Sequence, residues 1–332
     1  MPESAGPLAL SRREWLRVLW RTGREFSSDN LADWAAALTY YGVLSMFPGL
    51  ILLVAALGYL DAGSTQPLVD NLTVIAPAEA QEILNSAIAG LREAKQTAGT
   101  VALISLAVAL WSATGYVGAF MRAANVIFGV PEGRPMWKVL PLRLGITLAV
   151  GILFAASAVI VVLTGRLATV AGDLLDAGPA ARTTWAIAKW PVLVLLMTTI
   201  ITLLYWAAPN ARQRGLRWVT PGGLLAVLLW GAASAGFAFY AARFGSYNKT
   251  YGALGGVIVF LVWLWISNLA ILLGAKLDAV LHRARAIAAG QPGDAGPGLP
   301  PRDTSALAEQ RQADVAADAP LPRTRPESGV IK

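Results

Sequence analysis

Residues able to do hydrolytic or metal chemistry are scarce in this chain. It has one histidine, His282, and no cysteine. A zinc site built on several His or Cys ligands is therefore excluded, and so is a cysteine nucleophile. The phosphate-binding pattern GxxxxGK[ST] is also absent. We predict a protein that is not an enzyme, with no catalytic residue, no cofactor and no bound metal.

Polar side chains within apolar sequence are the remaining candidates. An unpaired polar group in lipid costs free energy, so such residues indicate helix packing, bound water or a substrate site. In one cluster Tyr40 and Tyr41 precede Pro48, whose missing amide hydrogen predicts a helix kink. In another, Asn125 lies near the end of the second apolar stretch and Asn210 at the end of the fourth, and both are expected at the same membrane face. We interpret all of them as candidates for a substrate path.

A third polar cluster is the glycine-rich turn at residues 243–252. Such a turn can bring amides and hydroxyls close to a bound head group. Helix packing is the alternative for all three clusters, and Gly252 and Gly256 here have the GxxxG spacing that lets helices approach closely. The candidate path residues in this turn are Ser246, Tyr247, Asn248 and Tyr251.

The elements that must position these residues are apolar stretches. Only 14% of the 332 residues are charged and 56% are hydrophobic, which excludes an ordinary soluble protein. A helix needs about 20 apolar residues to cross a bilayer, and six stretches without any charge exceed that length. The sequence therefore predicts an all-α, polytopic membrane protein with six transmembrane helices. The six stretches are 34–60, 96–121, 144–165, 190–211, 218–242 and 250–275.

The connections between these stretches predict the orientation. The second (122–143) and fourth (212–217) carry seven Lys or Arg residues and one acid, Glu132. Because basic loops stay in the cytoplasm, both termini are expected there, in a multi-pass protein of the cell inner (plasma) membrane. Three arginines at head-group depth are candidate cytoplasmic contacts for a lipid head group: Arg143, Arg212 and Arg217.

Three regions follow from this pattern. The N-terminal arm contains a basic amphipathic helix that opens with a capping box, Ser11 to Glu14, and is expected to lie on the cytoplasmic leaflet. The C-terminal tail is rich in proline and glycine and is predicted to be disordered. The predicted regions are the arm at 1–30, the membrane domain at 31–280 with an external amphipathic helix at about 77–95, and the tail at 290–332.

Several of these stretches carry a family resemblance. They are Ala35 to Tyr41 with Phe47-Pro48, Asn125 with its following loop, Pro209-Asn210, and Phe244 to Gly255 through Leu273-Gly-Ala275. In them the chain resembles the YihY/virulence factor BrkB family of bacterial inner-membrane proteins, once labelled ribonuclease BN. The resemblance implies no agreed activity. Where that family usually has Glu, this chain has Lys276.

These observations favour a non-enzymatic envelope protein that transports or handles a lipid or other amphipathic anion. The alternative is a membrane scaffold for envelope-biosynthesis or surface-resistance partners. Ribonuclease activity is not expected, since the histidine-rich zinc motif of true ribonucleases of that name is missing and the positive-inside rule already explains the basic loops. The expected partners are membrane lipids, and either envelope proteins or further copies of the chain, but no nucleic acid.

Overall fold

The part of the chain that the structure describes is built from long α-helices. The computed structural model describes residues 11–60, 98–163, 179–213, 220–244, 248–288, 290, 299–309 and 311, with the backbone alone described at helix ends that include 47–60 and 248–254. The helices are α1 (Arg12–Ser28), α2 (Leu31–Leu60), α3 (Ala98–Phe128), α4 (Met136–Leu163), α5 (Pro179–Ala207), α6 (Pro221–Phe244) and α7 (Asn248–Ala288).

The all-helical membrane character predicted from composition is confirmed for these residues. Four helices hold a segment long and apolar enough to cross a membrane: Met136–Val161, Thr183–Ala207, Pro221–Tyr240 and Gly255–Ala288. The remaining long helices, α2 and α3, have 30 and 31 residues. They overlap the first two charge-free stretches of the sequence, 34–60 and 96–121, and α3 extends seven residues beyond the second.

Local sequence signals mark the residues at which two of these helices begin or end. At the start of α1, Ser11 and Glu14 form the predicted capping box, in which the Glu14 carboxylate accepts a 2.7 Å hydrogen bond from the Ser11 amide. At the end of α3, Gly129 adopts a φ of 60°, and the Val130 amide donates back to the Asn125 carbonyl at 2.9 Å. This glycine-capped end turns the chain sharply from α3 towards α4.

The six long helices contact one another in a closed order, α2 to α3, α3 to α4 and so on to α7, which returns to α2. Of the helices, α3 contributes the most residues to the main core cluster, and its Ala119, Phe120 and Ala123 are completely buried. By contrast, α4 exposes Leu144, Leu148 and Ile152. Their spacing of four residues places them on one helix face, which suits contact with lipid tails.

A close approach between two helices lies at glycines other than those that the sequence suggested. A β-carbon on Gly256 would meet nothing within 4 Å, whereas one on Gly274 would meet the backbone of Gly222. Thus α6 and α7 approach closely at Gly222 and Gly274. The close approach expected at Gly252 and Gly256 is not met at Gly256, where the described neighbours leave open space, and Gly252 lies where the backbone alone is described.

The C-terminal region departs from the predicted disorder. Residues 299–309, called the strap below, fold back onto the bundle and include an antiparallel bridge between Ala211 and Pro301. Composition suggested disorder because the region is rich in proline and glycine and has no aromatic residue, but specific polar contacts hold this short segment. The predicted external helix at 77–95 lies outside the described residues, as does the tail beyond 311.

Candidate functional site

One candidate site centres on Arg143, within the apolar span of α4. Its Nε donates a 2.5 Å hydrogen bond to the Thr114 carbonyl of α3. The guanidinium lies against Gly118, where a β-carbon would collide with it. Glycine at residue 118 therefore makes the room that Arg143 needs to reach α3.

Two further side chains act on this guanidinium. Arg122 of α3 adds a second positive charge near the guanidinium and repels it, and Tyr41 of α2 lies near it as well. The Tyr41 ring packs on Gly115, whose β-carbon would come within 2.9 Å of it. The arginine site, as we call it, joins three helices and is formed by Tyr41, Thr114, Gly118, Arg122 and Arg143.

The other residues of the predicted path are dispersed. Tyr40 is 63% exposed on α2 and contacts Tyr41 edge to face at 5.4 Å. Pro48 lies within α2, while Asn248 and Tyr251 lie in the first turn of α7, where the backbone alone is described. Arg212 is exposed beside the strap. Three remaining predicted residues lie outside the described part: Arg217, Ser246 and Tyr247.

Asn125 and Asn210 meet, as their predicted position at one membrane face suggested. The Asn210 amide donates a 2.7 Å hydrogen bond to the Asn125 side-chain oxygen, and both residues are buried. The Asn210 side-chain amide donates to the Pro131 carbonyl at 3.0 Å and to that of Asp303 at 2.8 Å. Together they join two loops and the strap.

An ion pair between buried Arg134 and partly exposed Glu132 lies beside this asparagine pair. Arg134 is 8% exposed, donates twice to the Glu132 carboxylate at 2.7 Å, and also donates to the Ala208 carbonyl just beyond the end of α5. A cation at a helix C-terminus is favourable. Burial opposes ionisation of Glu132, but hydrogen bonds from Arg134 and Asn125 outweigh it and hold its pKa below the ordinary value.

Sequence reasoning missed a second charged cluster, at the junction of α1 and α7. The Lys276 ammonium lies 2.6 Å from the carboxylates of both Glu25 and Asp29, with its side chain 6% exposed. Nearby, Asp278 accepts a 2.8 Å hydrogen bond from the Gly222 amide at the start of α6. These partners are far apart in sequence, so no spacing rule could reveal them.

Sequence reasoning also missed that three polar residues inside the bundle form one hydrogen-bond network. The Tyr116 hydroxyl donates to the Asn268 side chain at 2.9 Å, and Asn268 donates to the Thr39 hydroxyl at 3.1 Å. Thr39 was visible in the sequence as part of the first polar cluster. Interhelical hydrogen bonds of this kind hold membrane helices together, so the cluster around Thr39 is partly structural.

Comparison with known proteins places the chain in a family. The family model described as virulence factor BrkB matches residues 22–297. The chain belongs to the virulence factor BrkB family. The match covers α2 to α7 and the C-terminal part of α1 from residue 22, including the arginine site, the asparagine pair and Lys276, but it ends before the strap.

Curated relatives of this BrkB family member carry different names. A protein of Bacillus subtilis (strain 168), named as ribonuclease-like and as YfkH, is 30% identical over 76% of this chain and 90% of its own length. A UPF0761 membrane protein of Xanthomonas campestris pv. campestris (strain B100) is 32% identical over 81% of this chain. The match spans only 61% of that relative's length. No solved structure matches the chain.

Proposed function

We propose that the protein spans the inner membrane six times, with both termini in the cytoplasm. At about 1.5 Å per residue, the 30 and 31 residues of α2 and α3 exceed the roughly 30 Å of a hydrocarbon core. An even number of spans puts α1 and the strap on the same side. The basic loops next to the arginine site support the cytoplasm as that side.

We infer that the arginine site binds the anionic head group of a lipid or another amphipathic anion. The observation that carries this inference is Arg143 itself. It lies within an apolar span and beside a second cation, Arg122. Among the described residues no carboxylate forms an ion pair with it. The positive charges of Arg143 and Arg122 repel each other within the membrane, and an anion bound between them would relieve that repulsion.

The chemistry of the site suits a phosphate or carboxylate. A guanidinium offers planar donors that match those groups, and a hydrogen bond to a charged group contributes about 1.5–3 kcal/mol. The lipid-facing leucines of α4 give the hydrocarbon chains a place beside the head group. The aromatic ring of Tyr41 lines one side of the site.

This binding step supports a role in moving or handling the amphiphile between leaflets. In the proposal the head group meets Arg143, Arg212 and Arg217 at the cytoplasmic side. At the outer side it meets the polar turn between α6 and α7. The remaining proposed path residues are Tyr40, Pro48, Asn125, Asn210, Ser246, Tyr247, Asn248 and Tyr251.

Binding of a fluorescent anionic lipid by the purified protein tests this role. Arg143→Gln should weaken binding about tenfold, because it removes roughly 1.4 kcal/mol of charge-assisted bonding. The matched control is Lys189→Gln, which removes a cation from the span of α5 and should leave binding unchanged. Equal binding by wild type and Arg143→Gln, or equal loss in both variants, would contradict the proposed site and favour the scaffold alternative.

A further inference from the structure

The strap bridges the ends of two helices through its backbone. The Arg212 amide donates to the Pro300 carbonyl at 2.8 Å, and the Arg302 amide donates to the Asn210 carbonyl at 2.7 Å. Further along, the Ala306 amide donates to the Gly133 carbonyl at 3.0 Å. The strap thus pairs with the α5–α6 connection and the α3–α4 connection at once, as an added strand pairs with a sheet edge.

Two strap side chains add specificity. Arg302 donates to the carbonyls of Trp206 and Ala211, the latter at 2.7 Å, and its guanidinium lies 5.2 Å from the centre of the Trp206 ring. Asp303 forms a 2.6 Å ion pair with Lys138 of α4. The Arg302 guanidinium therefore satisfies backbone carbonyls near the end of α5 that have no partner within the helix. The neighbouring Asp303 carboxylate pairs with the first turn of α4.

The Asn210 side chain recognises the strap backbone as well. Its amide nitrogen donates to the Asp303 carbonyl at 2.8 Å, and its oxygen accepts from the Asp303 amide at 3.2 Å. These two hydrogen bonds contact only the backbone of Asp303, so they do not depend on the side chain at that residue. Together they fix the register of the strap on the bundle.

Little apolar surface holds the strap. Leu299 is its one residue packed against the main core cluster, and Lys138 keeps 40% of its side chain exposed in the ion pair with Asp303. Each hydrogen bond of this kind contributes little net free energy, because water replaces the lost partner when the strap is released. Release of the strap would therefore leave the helix core intact.

We propose that this face is a peptide-binding surface, which the strap occupies reversibly in cis. The surface, called the platform, is formed by Gly133, Lys138, Trp206, Asn210 and Ala211. It takes an extended peptide in which an apolar residue precedes an Arg-Asp pair. Docking ties α4 to α5 across the cytoplasmic face. The proposal does not depend on anion binding at Arg143.

A full-length protein with a protease site inserted between residues 290 and 299 tests the proposal. After cleavage the strap should dissociate on dilution, and a labelled synthetic peptide of residues 296–311 should bind in its place. Peptides with Arg302→Gln or Asp303→Asn should each bind about tenfold more weakly. The matched control peptide carries Glu309→Gln, at an exposed residue, and should bind as the unaltered peptide does.

Hydrogen exchange on the uncut chain provides the second measurement. The amides of Arg302 and Asp303 should exchange more slowly than in the free peptide and faster than the core of α3. Asp303→Asn should speed their exchange without affecting α3. A strap that never dissociates after cleavage, a peptide that does not bind, or binding that is indifferent to both substitutions would overturn the proposal.

Discussion

At the scale of single residues, the arginine site shows where sequence reasoning succeeds and where it ends. Arg143 and Tyr41 could be selected from the sequence because they stand in or next to charge-free stretches. Their proximity could not be predicted from the sequence, because Gly118, which leaves space for Arg143, belongs to another helix. A glycine in an apolar helix carries no sequence sign of the side chain that will fill its space.

Gly118→Ala is expected to displace Arg143 while keeping its charge. The added methyl group would collide with the guanidinium, so anionic-lipid binding should fall several-fold although the protein stays folded. Fluorescence titration with a labelled anionic lipid measures the effect. Gly151→Ala is the matched control, because a β-carbon there meets nothing within 4 Å. Similar binding by both variants would mean that the position of Arg143 does not matter.

At the scale of elements, the attachment of α1 depends on a buried charge that the family resemblance marked as unusual. Lys276 stands where the resembled family usually has Glu, and here it pairs with Glu25 and Asp29. Burial opposes ionisation of Glu25, but hydrogen bonds from Lys276 and Arg21 outweigh it and keep its pKa below the ordinary value. The capping box predicted α1 itself, whereas its docking site required the fold.

Lys276→Glu should detach α1 from the bundle. The variant places three carboxylates together, and breaking a buried ion pair costs about 3–5 kcal/mol. Proteolysis within residues 12–28 should accelerate, and thermal stability should fall. Adding Glu25→Lys restores an opposite charge and should recover much of the loss. If the double variant is as sensitive as the single one, the ion pair is not what holds α1.

The strap should respond to acid through Asp303. Hydrogen bonds from Lys138 and Ser305 lower the pKa of its carboxyl group when docked. A group with a lowered bound-state pKa stabilises docking fully above its free value of about 3.9, and that contribution is lost as the pH falls further. Peptide binding should be constant from pH 7 to about 5 and weaken below about 4. An Asp303→Asn peptide that weakens just as steeply would contradict this assignment.

At the scale of the whole molecule, composition predicted the helical membrane architecture because lipid thickness sets a length that a sequence displays directly. The same reasoning failed for the strap, since composition averages over a tail and misses one short segment with specific partners such as Lys138 and Asn210. The asparagine pair shows the intermediate case. Topology placed Asn125 and Asn210 at one face, and the fold alone showed that they bond to each other.

Leaflet exchange in reconstituted vesicles tests the central claim most directly. A labelled anionic lipid is placed in one leaflet, and its appearance in the other is followed for vesicles with wild-type protein, with Arg143→Gln and without protein. Wild-type protein should accelerate exchange, and Arg143→Gln should reduce the acceleration about tenfold. Exchange with wild-type protein equal to that of protein-free vesicles would contradict the account.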